Sequence, residues 1–423
     1  MEQVKVLTRN CGNIDPRNAQ DYINAGGYEG LSKALSMQSQ EIIDLIRDAG
    51  LRGRGGAGFP TFRKLQFTYD TESDTKYVVC NADEGEPGTN KDRILLSQDP
   101  CSILEGMAIV GKTVGANVGY IYLRGEYSYI REIIEDAIAS SVKAGFLGKD
   151  IKGSGFDFEI RIANGAGAYV CGEETALFES IEGGRGEPRF RPPFPSIQGL
   201  FGKPTVLNNV ETLANIGPIL KNGAKWFRGM GTEGSPGTKL FTVIGNVNRR
   251  GVYEYPMGIN LKDLIYDCCG GVADGKSLLA VQAGGASGSY INASQIDMPL
   301  DIDHISESGG RLGCGTIMVV DEDNCIVDVV LNNAFFFMKE SCGQCTPCRE
   351  GTMRLYQFIE DISKGRGNME TFAKIERLTE AMENASLCGL GRSATVPVTS
   401  AIRNFRDAFI SHIDKDHCDK CDI

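Results

Sequence analysis

Three cysteines in Ser341-Cys342-Gly343-Gln344-Cys345-Thr346-Pro347-Cys348-Arg349-Glu350-Gly351 stand at Cys-x2-Cys-x2-Cys spacing. A loop this tight places three thiolates at three corners of one metal cluster. The fourth ligand must come from elsewhere. Cys388, 40 residues beyond Cys348 in Ser386-Leu387-Cys388-Gly389-Leu390-Gly391, is the candidate. Four thiolates from Cys342, Cys345, Cys348 and Cys388 suit a 4Fe–4S cluster. Zinc needs only two close cysteines and two remote ones, so three on one loop favour the cubane. Gly343 and Pro347 shape a loop whose N–H groups can point at sulfur and tune the potential. The plainer alternative is a set of buried or disulfide-bonded cysteines.

A second chemistry is written in Arg52-Gly53-Arg54-Gly55-Gly56-Ala57-Gly58-Phe59-Pro60. Four of the six positions 53–58 are glycine. Backbone without Cβ atoms can lie flat against a ligand and adopt φ > 0. Successive N–H groups then form a nest for anionic oxygen, and Arg54 adds a planar, permanent cation. A flexible linker would favour Ser and Gly over Arg and Phe-Pro. The run reads as a cradle for a flat, phosphorylated cofactor, and FMN fits it. Flavins accept a hydride and release electrons singly, which links a nicotinamide to an iron–sulfur centre.

The elements that must position these residues alternate strand and helix. Residues 28–37 and 39–49 have helical periodicity, the second ending at Gly50. Residues 76–80 read as a buried strand running into the acidic loop Asn81-Ala82-Asp83-Glu84-Gly85-Glu86-Pro87-Gly88, where open α/β sheets place ligands. Helices over 103–114 and 129–144 and strands over 118–123 and 156–162 follow, giving a parallel or mixed sheet with covering helices. A second glycine-rich turn, Asn164-Gly165-Ala166-Gly167-Ala168-Tyr169-Val170-Cys171-Gly172-Glu173-Glu174-Thr175, opens another helix. It is not G-x-G-x-x-G, so an ordinary dinucleotide fingerprint is absent. Strands over 239–245 and 251–254 with a helix over 261–268 suggest a small β-grasp module. Helices over 331–340, 351–364, 369–385 and 400–412 suggest a C-terminal bundle.

The totals are compatible with this reading. A chain of 423 residues accommodates two to four domains. Its net charge of −11 argues against nucleic acid or an anionic membrane surface as the main partner. The longest apolar stretch, 316–338, is broken by Asp321, Glu322, Asp323 and Asp328, so no direct membrane insertion is expected. The N-terminus has no signal-peptide pattern, and a cytoplasmic location is expected. Fourteen cysteines in a reducing compartment point to metal or redox work.

Taken together, positions 53–60, Cys80-Asn81-Ala82-Asp83-Glu84, Gly167 to Thr175, Pro192-Pro193-Phe194-Pro195, Asn208-Asn209-Val210-Glu211-Thr212 and the cysteine loop resemble one family. It is the NADH-binding FMN and 4Fe–4S flavoprotein subunit of respiratory complex I. Its soluble relatives are the matching subunits of NAD-linked hydrogenases, formate dehydrogenases and electron-bifurcating complexes. The resemblance spans nearly the whole chain. It implies an α/β fold in three parts: a Rossmann-like FMN domain, a ubiquitin-like SLBB domain and a helical 4Fe–4S bundle. The expected bounds are 1–61 for an N-terminal extension and the start of the cradle, 62–230, 231–324 and 325–412, with a cysteine-containing tail at 413–423.

The resemblance also implies site residues. Gly53, Arg54, Gly55 and Lys64 would hold FMN phosphate and ring, and Asn81, Asp83 and Glu84 the ribityl chain and ring edge. Tyr169, Gly172, Glu173, Asn208, Asn209 and Thr212 would complete that pocket. NAD(H), with NADP(H) as an alternative, would be held by Phe59, Phe67 and Phe194, with Glu86 and Glu174 facing the nicotinamide or ribose and Arg191 nearby. No catalytic acid or base is required, because the flavin takes the hydride directly. Expected partners are a subunit with a 2Fe–2S thioredoxin-like domain, further iron–sulfur or catalytic subunits, and ferredoxin as a further candidate. Respiratory complex I itself, and a non-catalytic relay module, are the alternatives.

Some positions depart from the family pattern. Gly85 follows Asp83-Glu84 where respiratory members carry Ser or Met, which is closer to the hydrogenase and formate dehydrogenase branch. Arg191 replaces a usual Lys, and Phe62 a usual Gly. His417-Cys418-Asp419-Lys420-Cys421, near His412, offers half of a zinc or second-cluster site, or simply free thiols. Cys11, Cys101, Cys268, Cys269, Cys314 and Cys325 lack ligand spacing and read as packing residues.

Overall fold

The computed structural model describes residues 3–307, 309–414, 418 and 420. Its first sheet is built from β1 (Tyr77–Ala82), β2 (Val118–Leu123), β3 (Glu159–Asn164) and β4 (Thr205–Asn209), in the order β3-β2-β1-β4. Every pairing is parallel, with Asn81 opposite both Tyr122 and Asn209. Side chains alternate across the pleat. Val78, Cys80, Ala82, Ile121, Leu123 and Val206 enter one core, while Val79, Tyr122 and Leu207 enter another on the opposite face. Such two-sided burial is why β1 reads as a continuous apolar run.

The first core is dominated by the helix Pro100–Val114, whose residues are nearly all buried. It crosses the helices Glu29–Leu35 and Val210–Asn222 at close range. A Cβ on Gly106 would stand 2.2 Å from the Leu213 carbonyl oxygen, so glycine sets that crossing. Residues ahead of the glycine run contribute to this body: Leu31, Ile42, Ile43 and Ile46 are core residues. Glu105 anchors them, accepting hydrogen bonds from Tyr22 Oη at 2.6 Å, Leu31 N at 2.9 Å and Tyr28 N at 3.1 Å.

The second sheet has β5 (Thr238–Gly245), β6 (Gly251–Pro256), β7 (Leu278–Ala283), β8 (Ser289–Asn292) and β9 (Thr316–Asp321), ordered β6-β5-β9-β7-β8. β5 and β9 pair in parallel and the other pairs are antiparallel, around a separate apolar cluster. Helices Ile326–Glu340, Thr346–Ser363, Met369–Ala385, Val396–Asn404 and Arg406–Asp414 follow and share the second core.

Several elements differ from the sequence pattern. The strand expected over 156–162 starts at Glu159, because Phe158 pairs with Gly148 in an isolated bridge. The helix expected over 400–412 is two helices broken at Phe405, where Asn404 Nδ2 donates to the Tyr290 carbonyl at 2.7 Å. The helix at 261 continues as a π-turn through Cys268. No helix among the described residues is long and apolar enough to cross a membrane.

Removing the Glu105 carboxylate would strand one hydroxyl and two amide donors. Glu105→Ala is expected to cost about 3 kcal/mol, read as a lowered urea midpoint.

Candidate functional site

In an open α/β sheet the ligand crevice opens where strand order reverses, outside the carboxyl ends of the strands. Here the reversal lies between β1 and β4. A cavity of about 560 Å³ opens there, lined by Gly55, Asn81, Asp83, Glu84, Glu86, Tyr169, Gly172, Glu173 and Asn209 from the α/β part. Local bonds fix its rim. Asn81 Nδ2 donates to the Gly172 carbonyl at 2.9 Å, and Asn81 Oδ1 accepts from Asp83 N at 3.0 Å. The glycine run closes on itself, with Gly53 N donating to Phe59 O at 2.8 Å. A Cβ on Gly55 would meet Asn209 Cβ at 2.9 Å, so a side chain there would push into the floor of the cavity. At Gly85 a Cβ would press the Tyr169 ring at 3.1 Å, which gives the departure at that position a packing reason.

Gly53, Arg54, Lys64, Asn208 and Thr212 stand behind this surface rather than on it. Thr212 Oγ1 accepts from Arg54 N at 2.8 Å, holding the loop. The Arg54 guanidinium is buried and donates from Nη2 to the Pro236 carbonyl at 2.6 Å. Burial lowers its pKa to about 10. Arg54 Nε and Nη1, Asn208 Nδ2 and Asp83 Oδ2 are buried with no hydrogen-bond partner. Buried polar atoms are normally satisfied; of these residues Asp83 lines the cavity, and its unpartnered Oδ2 together with the glycine-floored crevice fits a hydrogen-bonding cofactor. Glu84 lines the cavity, but its carboxylate caps the helix Lys91–Gln98, accepting from Asp92 N, Arg93 N and Tyr127 Oη. Burial raises the Asp83 pKa to about 7.

The residues expected around the nicotinamide separate into two places. Glu86 is in the cavity, where its carboxylate accepts from Tyr169 Oη at 2.8 Å and Ser287 N at 3.1 Å. Burial shifts its pKa upward. Glu174 lies outside, paired with Arg191 at 2.6 Å and Lys64 at 3.4 Å. Arg191 also contacts Glu173, whose other oxygen caps the helix Glu174–Ile181. Phe59, Phe67 and Phe194 are solvent-exposed aromatic surface. The far wall was not foreseen. Ser287, Ile302, Ser306, Arg311, Leu312, Gly313 and Cys314 come from the β-grasp part, and Gly389, Leu390 and Ser393 from the helical part. The β-grasp residues carry no local motif that would have marked them, and Gly389 and Leu390 stand in the Cys388 segment, which the sequence marks for the metal cluster and not for this cavity.

Cys342, Cys345, Cys348 and Cys388 converge on a second, small cavity with Val170, Pro188, Leu387 and Leu390. Leu387 N approaches Cys345 Sγ at 3.5 Å, and Ser341 Oγ lies 3.3 Å from Cys348 Sγ. A Cβ on Gly391 would stand 2.8 Å from Cys348 Cβ, so the short helix Gly389–Ser393 after Cys388 packs there through a glycine. Four thiols in one largely apolar pocket with an N–H directed at sulfur fit an iron–sulfur cluster. Val170 and Leu390 belong to both cavities, so the two sites share a wall. Cys421 and His417 lie outside the described residues. Cys325, expected to be a packing residue, is buried in the second core and also meets His412 and Cys418, because the chain returns to it at its C-terminal end.

Residues 46–218 match the family model described as the Nuo51 FMN-binding domain. Residues 240–289 match the SLBB domain, and 328–412 the NADH-ubiquinone oxidoreductase-F iron-sulfur binding region. The chain is 46% identical to the NADP-reducing hydrogenase subunit HndC of Solidesulfovibrio fructosivorans, over 99% of this chain and 85% of that protein. It is 42% identical to an NADH-quinone oxidoreductase subunit of Rhizobium meliloti, over 98% of each. This chain belongs to that family of flavoprotein subunits. Members are NAD(P)H oxidoreductase subunits, and this one carries the family's FMN-binding and 4Fe–4S regions together. Its fold superposes on an NAD+-reducing [NiFe]-hydrogenase in the H2-reduced state with a TM-score of 0.84 at 37% identity, covering 98% of this chain and 68% of that one. The air-oxidized form gives 0.81 at 40% identity, covering 89% of this chain and 63% of that one, so the chain spans under two thirds of that relative's length.

One family motif also carries the electrostatics behind the cradle. Glu211 is fully buried between Lys91 and Lys239, each 2.9 Å away. Burial alone would raise its pKa, but Lys239, Lys91 and Arg54 outweigh that and hold it at about 2. A depressed carboxylate pKa adds stability above its unfolded value, near 4.3, and loses it as pH falls toward about 2. Glu211→Gln is therefore expected to be less stable than the parent by about 3 kcal/mol at neutral pH. The gap should narrow in denaturant titrations repeated at progressively lower pH across that window. An equal gap throughout would contradict the assignment.

Proposed function

We propose that this chain is the nicotinamide-side subunit of a soluble, cytoplasmic multisubunit oxidoreductase of hydrogenase, formate dehydrogenase or electron-bifurcating type. FMN would occupy the larger cavity and a 4Fe–4S cluster the cysteine pocket. When bound, the flavin supplies exchange between hydride and single electrons, and the cluster supplies one-electron storage. The observation that carries the reading is the shared wall: Val170 and Leu390 line both cavities. A carrier in one pocket would then lie close to a carrier in the other.

The chain's own residues would bind and orient. Gly55 and Asn209 would form the floor under the cofactor, Asn81 and Gly172 the rim, and Arg54, behind that surface, would hold the glycine loop in place through Thr212 and Pro236. Tyr169 would hold Glu86 against the cavity, and Gly85 keeps room for that tyrosine. Phe59, Phe67 and Phe194 would offer exposed faces to the adenine half of the nucleotide. Arg191 is already held by Glu173 and Glu174, which leaves less positive charge for a 2′-phosphate and supports NADH as the donor. The acceptor side would need a partner carrying a 2Fe–2S thioredoxin-like domain, then further iron–sulfur or catalytic subunits, with ferredoxin as a second substrate. The coverage of the Rhizobium meliloti protein on both sides favours a second reading, the corresponding subunit of a membrane NADH:quinone complex. Copurification of hydrophobic membrane subunits would select it.

The test is anaerobic titration of the purified complex with NADH and with NADPH. Flavin bands should bleach at lower NADH than NADPH. Cys388→Ser should lose cluster iron while its flavin still bleaches. A preparation without flavin bands, even after reconstitution, would overturn the proposal.

A further inference from the structure

Glu86 belongs to the acidic loop and lines the larger cavity, yet the groups that aim its carboxylate lie elsewhere in the chain. Ser287 N donates to Oε1 at 3.1 Å, and Tyr169 Oη donates to Oε2 at 2.8 Å. These charge-assisted bonds fix the plane of the carboxylate. They leave it acceptor capacity for a ligand in the cavity.

Ser287 lies in the connection Gly284–Gly288 between β7 and β8, and that connection is shaped to admit the carboxylate. Gly285 has a φ of +81°, and a Cβ there would stand 2.5 Å from Glu86 Cγ. Gly284 N and Gly285 N both donate to the Thr316 carbonyl, at 2.8 and 3.1 Å, and Gly288 N closes the turn on Gly285 O at 2.8 Å. The acidic loop is clamped to the same sheet. Thr89 Oγ1 lies 2.5 Å from Thr316 Oγ1 and 3.2 Å from Cys314 Sγ. The β-grasp part therefore holds both the loop that carries Glu86 and one of the donors that orient it.

Both donors trace back to one helix. Asn333, Phe336, Phe337 and Glu340 of the helix Ile326–Glu340 are spaced i, i+3, i+4 and i+7, so they share a face. Glu340 Oε2 accepts from Tyr169 N at 3.0 Å. The Phe336 ring meets the Tyr169 ring edge-on, with centroids 5.1 Å apart. Asn333 reaches the other donor's support. Its Nδ2 donates to Tyr290 Oη at 2.9 Å and lies 3.5 Å from the Ala286 carbonyl oxygen, beside Ser287. Tyr290 is fully buried in β8, where its N–H donates to Ser400 Oγ at 3.0 Å and its carbonyl accepts from Asn404 Nδ2 at 2.7 Å. The helical part thus grips the hairpin whose connection holds Glu86. Asn333 itself lines neither the larger cavity nor the cysteine pocket.

We propose that Asn333 is a positioning residue for nucleotide binding. Through Tyr290 and the connection Gly284–Gly288 it keeps Ser287 N on Glu86, while Phe336 and Glu340 on the same helix face keep Tyr169 there. The direction of the Glu86 carboxylate is set by the helix that leads into Ser341 and Cys342. This rests on the reading of Glu86 as facing the nicotinamide or ribose of the nucleotide.

Equilibrium binding of NAD+ to the purified, cofactor-loaded complex tests this in a double-mutant cycle. Alanine suits a helix interior, so Asn333→Ala should keep the helix, the iron and the FMN. Glu86→Gln should raise the NAD+ dissociation constant about tenfold and Asn333→Ala about fivefold. The double variant should bind no more weakly than Glu86→Gln alone, because nothing is then left for Asn333 to position. In steady state, Asn333→Ala should raise the KM for NADH and retain kcat, the pattern of lost binding rather than lost chemistry. Gly285→Ala places a methyl against Glu86 Cγ and should weaken NAD+ in the same way, which keeps the test decisive if Asn333→Ala fails to assemble. Unchanged NAD+ binding in Asn333→Ala beside weakened binding in Glu86→Gln, or additive losses in the double variant, would overturn the positioning role alone. Unchanged or tighter binding in Glu86→Gln would overturn both that role and the assignment of Glu86 to the nucleotide.

Discussion

The buried carboxylate of Glu211 is where the separate parts of the molecule are joined. It begins the helix Val210–Asn222 directly after β4, so the parallel sheet delivers it. It binds Lys91 at the start of the helix after the acidic loop, and Lys239 in β5 of the β-grasp sheet. Its second oxygen accepts from Leu240 N at 2.9 Å. Lys239 in turn reaches the Arg54 carbonyl of the glycine cradle at 3.4 Å. Two buried ammonium groups and a guanidinium around one carboxylate are costly to desolvate and stable only as a set. That condition fixes the cradle, the acidic loop and the β-grasp sheet relative to one another, and the cavity is the space they leave.

Three parts of the chain therefore contribute to one crevice. The α/β sheet supplies the floor through its carboxyl edge, the connections of the β-grasp part supply a wall through Ser287 and Gly313, and the helical part closes it with Leu390. The close backbone approach of Gly284 and Gly313 makes that wall, since a Cβ on Gly313 would stand 2.3 Å from the Gly284 oxygen. The same helical segment carries Cys388. Two pockets with one shared wall follow from this chain path, and proximity between them is built into the fold.

Local chemistry was legible in the sequence and long-range assembly was not. The Cys342, Cys345 and Cys348 loop announces itself by spacing, and the glycine run by the Cβ atoms it lacks. Val118–Leu123, Ser39–Ala49 and Met369–Ala385 coincide with their apolar periodicity. β4 was hidden because Thr205–Asn209 is short and runs straight into a motif, so it reads as a connection. Arg54, Lys64 and Thr212 lie behind the cavity surface, since a motif identifies a neighbourhood and not the direction in which each side chain points. Cys325 carried no signal because His412 lies 87 residues away and only the folded chain brings them together.

The central claim is that a flavin and an iron–sulfur cluster face each other across Val170 and Leu390. The most direct measurement is an anaerobic crystal structure of the cofactor-loaded protein with anomalous data at the iron edge. The account predicts flavin density above Gly55 and Asn209, and an iron peak enclosed by Cys342, Cys345, Cys348 and Cys388 just beyond those two side chains. Iron anywhere else, or a cavity at the sheet edge that stays free of flavin at saturating FMN, would contradict it.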